Sequence, residues 1–277
     1  ALQLCSVPNV EQNLIEIERL LAQLTQQYPS EQDEQHIVVL PECCLYFGGK
    51  DSEQLTLIDA ISSQFIRLKL AQLASDYSVC LVAGTIPLAG SVDNKFTASS
   101  LLFAADGKQL SEYQKMHLFD VQVNDNSKNY HESKYTEAGQ SVVVTQLGDV
   151  SLGMSVCYDL RFPELFRSMT SSGANVIALT AAFTRVTGQA HWQSLLQARA
   201  IENQVYMVAA AQEGVHANGR ETWGHAMIVS PWGEVLDCLE QGTGWVSTHF
   251  DGDFLNDIRQ NIPQGKHNQF TVTKITR

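Results

Sequence analysis

The stretch VSLGMSVCYDLRFPELFR, residues 150–167, decides how the rest of the chain is read. Its first half is an apolar run that ends in Cys157. With SVVVTQL (141–147), across the turn Gly148-Asp149, it has the pattern of a β-hairpin. Beyond the cysteine the period changes. The pattern predicts a helix near 163–172, a strand at ANVIALT (174–180), a helix near 190–203 and a strand at VYMVAAA (205–211). Two more strands are expected around Pro231-Trp232-Gly233. Strands alternating with helices, interrupted by hairpins, specify an α/β fold in which helices cover a mixed sheet.

The N-terminal half repeats this grammar. Leu14, Ile17, Leu20, Leu21 and Leu24 mark a helix over 11–28, and HIVVL (36–40), stopped by Pro41, reads as a buried strand. A second helix is expected over 61–77, with Phe65, Leu68 and Leu73 on related faces, followed by a buried strand at CLVAGTI (80–86). FTASSLLFAA (96–105) and KQLSEYQK (108–115) flank Asp106-Gly107 as a second hairpin. The tail from about 252 shows no strong period. No repeat, low-complexity tract or linker interrupts the chain, so a single domain is expected over residues 1–277.

Composition narrows the classes of function. A chain of 277 residues, 44% apolar and 17% charged, can bury about 75% of its unfolded surface without staples. A net charge of −12 with no Lys/Arg cluster argues against nucleic-acid and membrane-surface roles. The six cysteines form no CxxC pair and no zinc-like Cys/His spacing, and neither GxGxxG nor a P-loop occurs. No metal and no cofactor is therefore expected. The opening ALQLCSVPNVEQNL lacks a charged start and an apolar core, and no run approaches 18 apolar residues. The reducing cytoplasm is the expected location.

Three reactive residues each sit where an apolar strand runs out. Glu42 follows the strand 36–40, Lys115 closes the strand 108–114, and Cys157 closes the strand 150–156. Ligands of α/β sheets bind at the carboxyl ends of strands, so the three can share one pocket if their strands are neighbours. The set suits acyl transfer from an amide. A thiol needs a base to become a nucleophile, a carboxylate can take that proton and return it to a leaving amine, and an ammonium can stabilise an oxyanion. Taken singly, each also fits an ordinary place: a core cysteine, a solvated turn glutamate, an exposed hairpin lysine.

The surrounding sequences resemble a known family. LPECCLYFGG around Glu42, YQKMHLFD around Lys115 and SVCYDLRFPELFR around Cys157 are together similar to the nitrilase superfamily of carbon–nitrogen hydrolases. The resemblance extends over nearly the whole chain, through HESKYTEAG, GANVIALTAAFTRVTGQAHWQSLLQARAIENQ and GHAMIVSPWGEVL. It implies an α-β-β-α four-layer sandwich and a thioester on Cys157. Glu42 would then be general base and acid, with Lys115 and the backbone N–H of Tyr158 on the oxyanion. Glu132 matches a second family glutamate that orients the lysine and the water. Opposed influences on the thiol, Lys115 against Glu42 and Glu132, predict that Cys157 and Glu42 titrate as a pair sharing one proton.

Within the family, CYDLRFPEL, AAFTRVTGQAHW and LQARAIENQ are most similar to the branch of ω-amidases and deaminated-glutathione amidases, and AHWQSLLQARAIENQVYMVAAAQ followed by GHAMIVSPWG is nearer the latter. Such substrates carry carboxylates. Arg161 is a candidate partner for one, or else an ion-pair partner of Asp159 or Glu164. Phe183 and Thr187 match the branch's substrate-contacting loop, with core packing and a plain loop hydroxyl as their alternatives. Arg185 is a further cation in the same segment. His117, His131 and His225 invite comparison with Cys/His hydrolases, yet the Glu/Lys pair already serves Cys157; the vicinal Cys43-Cys44 invites a redox reading, with packing in a pocket wall as its alternative. Alternatives to the amidase are a 2-oxoglutaramate, nitrile or N-carbamoyl hydrolase, an acyltransferase, and a non-catalytic metabolite-binding module. The resemblance also implies a homodimer or higher homo-oligomer built on the segment 163–172 and the C-terminal tail.

Overall fold

The computed structural model describes residues 1–29, 34–125 and 129–274; the last three residues of the tail lie outside that set. The first helix, Val10–Gln27, starts where Asn9 accepts a hydrogen bond from the Gln12 N–H at 3.0 Å. Ile17, Leu20, Leu21 and Leu24 form its buried stripe. The second, Ala60–Asp76, buries Ile66, Leu70, Leu73 and Ala74. The expected inner face is corrected here: Phe65 and Leu68 are 42% and 62% exposed. The apolar side chains of this helix are spread around its axis, so the period did not single out the stripe at 66, 70, 73 and 74.

Both helices pack on a sheet in the order His36–Val39, Val79–Ala89, Phe96–Phe103, Gln109–Gln114. Alternation along Val79–Ala89 shows how the layers stack. Val79, Leu81 and Ala83 join the helix-side core, whereas Cys80 and Val82 join the core shared with the other sheet. That other sheet runs Val235–Leu239, Ala226–Val229, Tyr206–Val215, Val176–Ala181, Val150–Val156, Val144–Leu147. Its far side is covered by Pro163–Ser171 and Arg185–Asn203 through Phe166, Met169, Trp192 and Leu196. The result is the α-β-β-α sandwich. The expected hairpins are present, with Gly107 and Gly148 at positive φ in their turns. The tail holds an unforeseen helix, Gly252–Asn261, which buries only Leu255 and Ile258. Two apolar contacts leave no period to read.

Strand direction sets up the site. Val79–Ala89 is parallel to His36–Val39 and antiparallel to Phe96–Phe103, which is antiparallel to Gln109–Gln114. The two outer strands therefore run the same way, and their carboxyl ends lie on the same edge.

Candidate active site

Glu42, Lys115 and Cys157 meet, but not by the expected route. Their strands are not neighbours. Glu42 and Lys115 leave the two outer strands of one sheet at the same edge, and Cys157 leaves the other sheet. The gap between the layers brings them together. Tyr113 and Lys115 share the inward face of Gln109–Gln114 and its continuation, and Lys115 is 1% exposed. Its Nζ donates to Glu42 Oε1 at 2.7 Å and to Glu132 Oε1 and Oε2 at 2.9 and 2.8 Å. Glu132 sits on a short 3-10 turn, Glu132–Lys134, and its Oε2 also accepts the Phe119 N–H at 2.6 Å.

Close packing and a buried amide hold Glu42 in place. Gly84, at φ +34, lies under the turn, where a Cβ would collide with the Pro41 carbonyl oxygen. Gln212, fully buried on Tyr206–Val215, donates to the Glu42 carbonyl at 3.0 Å and to Ser6 Oγ at 2.8 Å. Cys157 stands at φ +45, a strained setting for a side-chain-bearing residue, directly after its strand. Asp159 pins the turn by accepting the Val156 N–H at 2.9 Å.

Burial opposes the charge on Lys115, yet the carboxylates of Glu132 and Glu42 outweigh it and hold the ammonium protonated well above the usual lysine range. Burial first, and then the Glu42 charge, push the Glu132 carboxyl up despite Lys115. The Cys157 thiol is pushed well above its usual range, first by burial and then by the Glu42 carboxylate; Lys115 and the Ala182 backbone pull the other way. Burial and the Glu42 charge thus both favour the protonated thiol beside Lys115.

These groups line one cavity of about 1030 Å³, part of it open to solvent. Tyr158, Arg161, Phe183 and Thr187 line it too. The Arg161 guanidinium lies 5.4 Å from the Phe183 ring centre and 6.0 Å from that of Tyr158, with Nη1 3.3 Å from His191 Nδ1. Among the described residues no ion pair joins it to Asp159 or Glu164. Phe183 is both cavity wall and packing, with its ring edge-on to Trp192 at 4.9 Å. The Thr187 hydroxyl lies 2.8 Å from that of Thr184, the N-cap of Arg185–Asn203. Arg185 is not brought to the site; it pairs with Glu221 at 2.8 Å.

The whole pattern can be set beside known proteins. A family model described as carbon-nitrogen hydrolase matches residues 1–259. The chain belongs to the carbon-nitrogen hydrolase family. It is 36% identical to the deaminated glutathione amidase of Yersinia enterocolitica over 277 residues, covering 100% of this chain and 94% of that one. It is 39% identical to the deaminated glutathione amidase of Synechocystis sp. (strain PCC 6803 / GT-S), covering 98% and 97%. The crystal structure of Saccharomyces cerevisiae Nit3, a member of branch 10 of the nitrilase superfamily, superposes with a TM-score of 0.84 at 27% identity, over 97% of this chain and 95% of that one.

In this carbon-nitrogen hydrolase the histidines have other work. His117 Nδ1 is 2.7 Å from Asp159 Oδ1 with its ring stacked on Phe162, and His225 is stacked on Trp223. His131 lines the outer cavity. Burial pushes the Cys44 thiol up to about 12, and burial with the Glu42 charge pushes Cys43 up as well, so neither is primed for redox chemistry. Sequence reasoning missed Gln212, Asp159 and Arg220. Gln212 ends VYMVAAAQ as one polar residue in an apolar strand, a visible signal. Arg220 lines the cavity from a turn between strands, where nothing in the sequence pointed to it.

Proposed function

We propose that the protein hydrolyses the amide of deaminated glutathione, giving 2-oxoglutarate and cysteinylglycine. The reading is supported by the substrate in the names of its full-length relatives and by the buried Glu42–Lys115–Glu132 cluster beside Cys157. That cluster is the observation that carries the chemistry. The thiol proton moves to Glu42 as Sγ of Cys157 bonds the amide carbonyl carbon. Lys115 and the Tyr158 backbone N–H take the oxyanion. The C–N bond breaks as Glu42 gives its proton to the departing nitrogen, leaving a thioester and a free amine. Water then attacks the thioester, losing its proton to Glu42. The S–C bond breaks, and the thiol recovers that proton. Glu132 orients Lys115 and the incoming water.

Arg161, with no carboxylate partner among the described residues, would bind the 2-oxo acid carboxylate of the acyl half, with Phe183 and Thr187 shaping the wall beside it. The thiol chemistry suits a reducing cytoplasm, and all six cysteines are free. We also propose one hydrolase domain over residues 1–277, assembling as a homodimer through 163–172 and the tail, where Ile262 and Phe270 are 46% and 81% exposed. Light scattering of the purified protein reads the assembly.

The test of function is release of cysteinylglycine from deaminated glutathione, with Cys157→Ala alongside and intact-mass detection of the acyl-enzyme. Turnover by wild type, none by the variant, and a Cys157-borne 2-oxoglutaryl mass support the reading. Turnover by Cys157→Ala sinks the mechanism, and no turnover by wild type sinks the substrate.

A further inference from the structure

A second guanidinium faces the cavity. Arg220 sits on a tight turn, its N–H donating to Asn218 Oδ1 at 3.0 Å and its carbonyl accepting the His216 N–H at 2.9 Å. The guanidinium lies 5.0 Å from the Phe47 ring centre and 4.8 Å from that of Tyr130. Such stacking holds a planar cation without consuming its hydrogen bonds. Its Nε is buried and has no hydrogen-bond partner among the described residues. A buried, unsatisfied donor on a cavity wall calls for an acceptor that arrives with the ligand.

Charge balance points the same way. Lys115 is matched against two carboxylates, so the catalytic cluster carries a net negative charge. Deaminated glutathione brings two carboxylates, one on each side of the amide. Desolvating either without a counter-charge is strongly unfavourable. Arg161 follows the nucleophile on its own turn and lies by Phe183. Arg220 lies against Phe47 of the loop that carries Glu42, and Tyr130, Glu42 and Asp51 all favour its charge against burial. Glu42 is the group that would hand a proton to the departing nitrogen, so the leaving half of the amide lies toward Arg220.

We propose that Arg220 is the specificity residue for the leaving half of the substrate, binding the terminal glycine carboxylate through its unpaired edge. This rests on the deaminated-glutathione reading above. It makes the hydrolase selective for amides whose amine product ends in a carboxylate.

The test compares deaminated glutathione with its glycinamide-terminated analogue, which differs in that one charge, in wild type, Arg220→Gln and Arg220→Lys. Wild type is expected to favour the carboxylate form. Arg220→Gln should lower kcat/KM on that form by about 10- to 100-fold, mostly through KM, the loss expected for a hydrogen bond to a charged group. On the glycinamide form, which lacks the charge that Arg220 would bind, the loss in kcat/KM should be several-fold smaller. Arg220→Lys should recover part of the preference. Equal loss on both forms, or no wild-type preference between them, overturns the assignment while leaving the amidase reading intact. Wild-type turnover of neither form overturns the substrate reading and this one with it.

Discussion

The Tyr113 hydroxyl donates to Asp159 Oδ2 at 2.7 Å, tying the strand that leads to Lys115 to the turn that carries Cys157. The same carboxylate accepts the Val156 and His117 backbone N–H groups at 2.9 and 3.1 Å. Asp159 is 0% exposed and is therefore a clamp between the two sheets. Tyr113→Phe removes one donor and leaves Asp159 under-satisfied, at a cost of about 1–3 kcal/mol in urea unfolding. Because the clamp fixes Lys115 relative to Cys157, kcat should fall while KM for the substrate changes little. Unchanged kcat in a destabilised variant would show that the clamp serves stability alone.

The Glu42 carboxylate raises the Cys157 thiol by charge and by hydrogen bonding. Glu42→Gln removes that charge, so the thiol should ionise at lower pH and alkylation by iodoacetamide should shift down the pH scale. Turnover should fall in the same variant, since the base is gone. Faster alkylation with slower catalysis separates the electrostatic part of Glu42 from its proton-carrying part. An alkylation profile identical to wild type would mean that the two groups are not coupled.

Lys115 is paired with two buried or half-buried carboxylates. Lys115→Met should cost about 3–5 kcal/mol at pH 7, because it leaves Glu42 and Glu132 facing each other without a cation. The loss should shrink toward pH 5, as the orphaned carboxylates take up protons. Adding Glu132→Gln should recover part of the stability and none of the activity. A pH-independent loss would point to packing instead of charge.

The layered fold was legible because strands buried on both faces, such as 79–89, write unbroken apolar runs, and because two Asp-Gly or Gly-Asp turns mark their hairpins. Glu42 and Cys157 were legible because each ends such a run, whereas Lys115 ends the polar, half-exposed strand QLSEYQ and was legible from the motif around it. What places them together was not. The sequence holds no sign that Glu42 and Lys115 lie two strands apart, or that the sheet bearing Cys157 stacks on theirs. Arg220 was silent for a related reason. Its meaning comes from Phe47 and Tyr130, far away in the chain, whose rings converge on it.

His216 sits 4% exposed behind the Glu42 loop, with Nδ1 3.1 Å from the Ser6 carbonyl and Nε2 2.7 Å from Thr222 Oγ1. The carbonyl can only accept, so Nδ1 carries the proton and Nε2 accepts from the threonine, a fully satisfied neutral ring. Burial lowers its pKa from 6.5 to about 4. In that window the unfolded chain binds a proton that the folded one refuses, so stability is present above pH 6.5 and is lost as pH falls toward 4. The full effect is about 3 kcal/mol. Other acid-sensitive groups add to the slope, so the quantity to measure is the difference between wild type and His216→Gln in urea unfolding at several pH values. The variant should be less stable than wild type at pH 7 and should close that gap near pH 4.5, because it has no ring to protonate. Parallel curves would mean that the folded ring takes up its proton over the same pH range as the unfolded chain, so that the Ser6 and Thr222 hydrogen bonds do not hold it neutral.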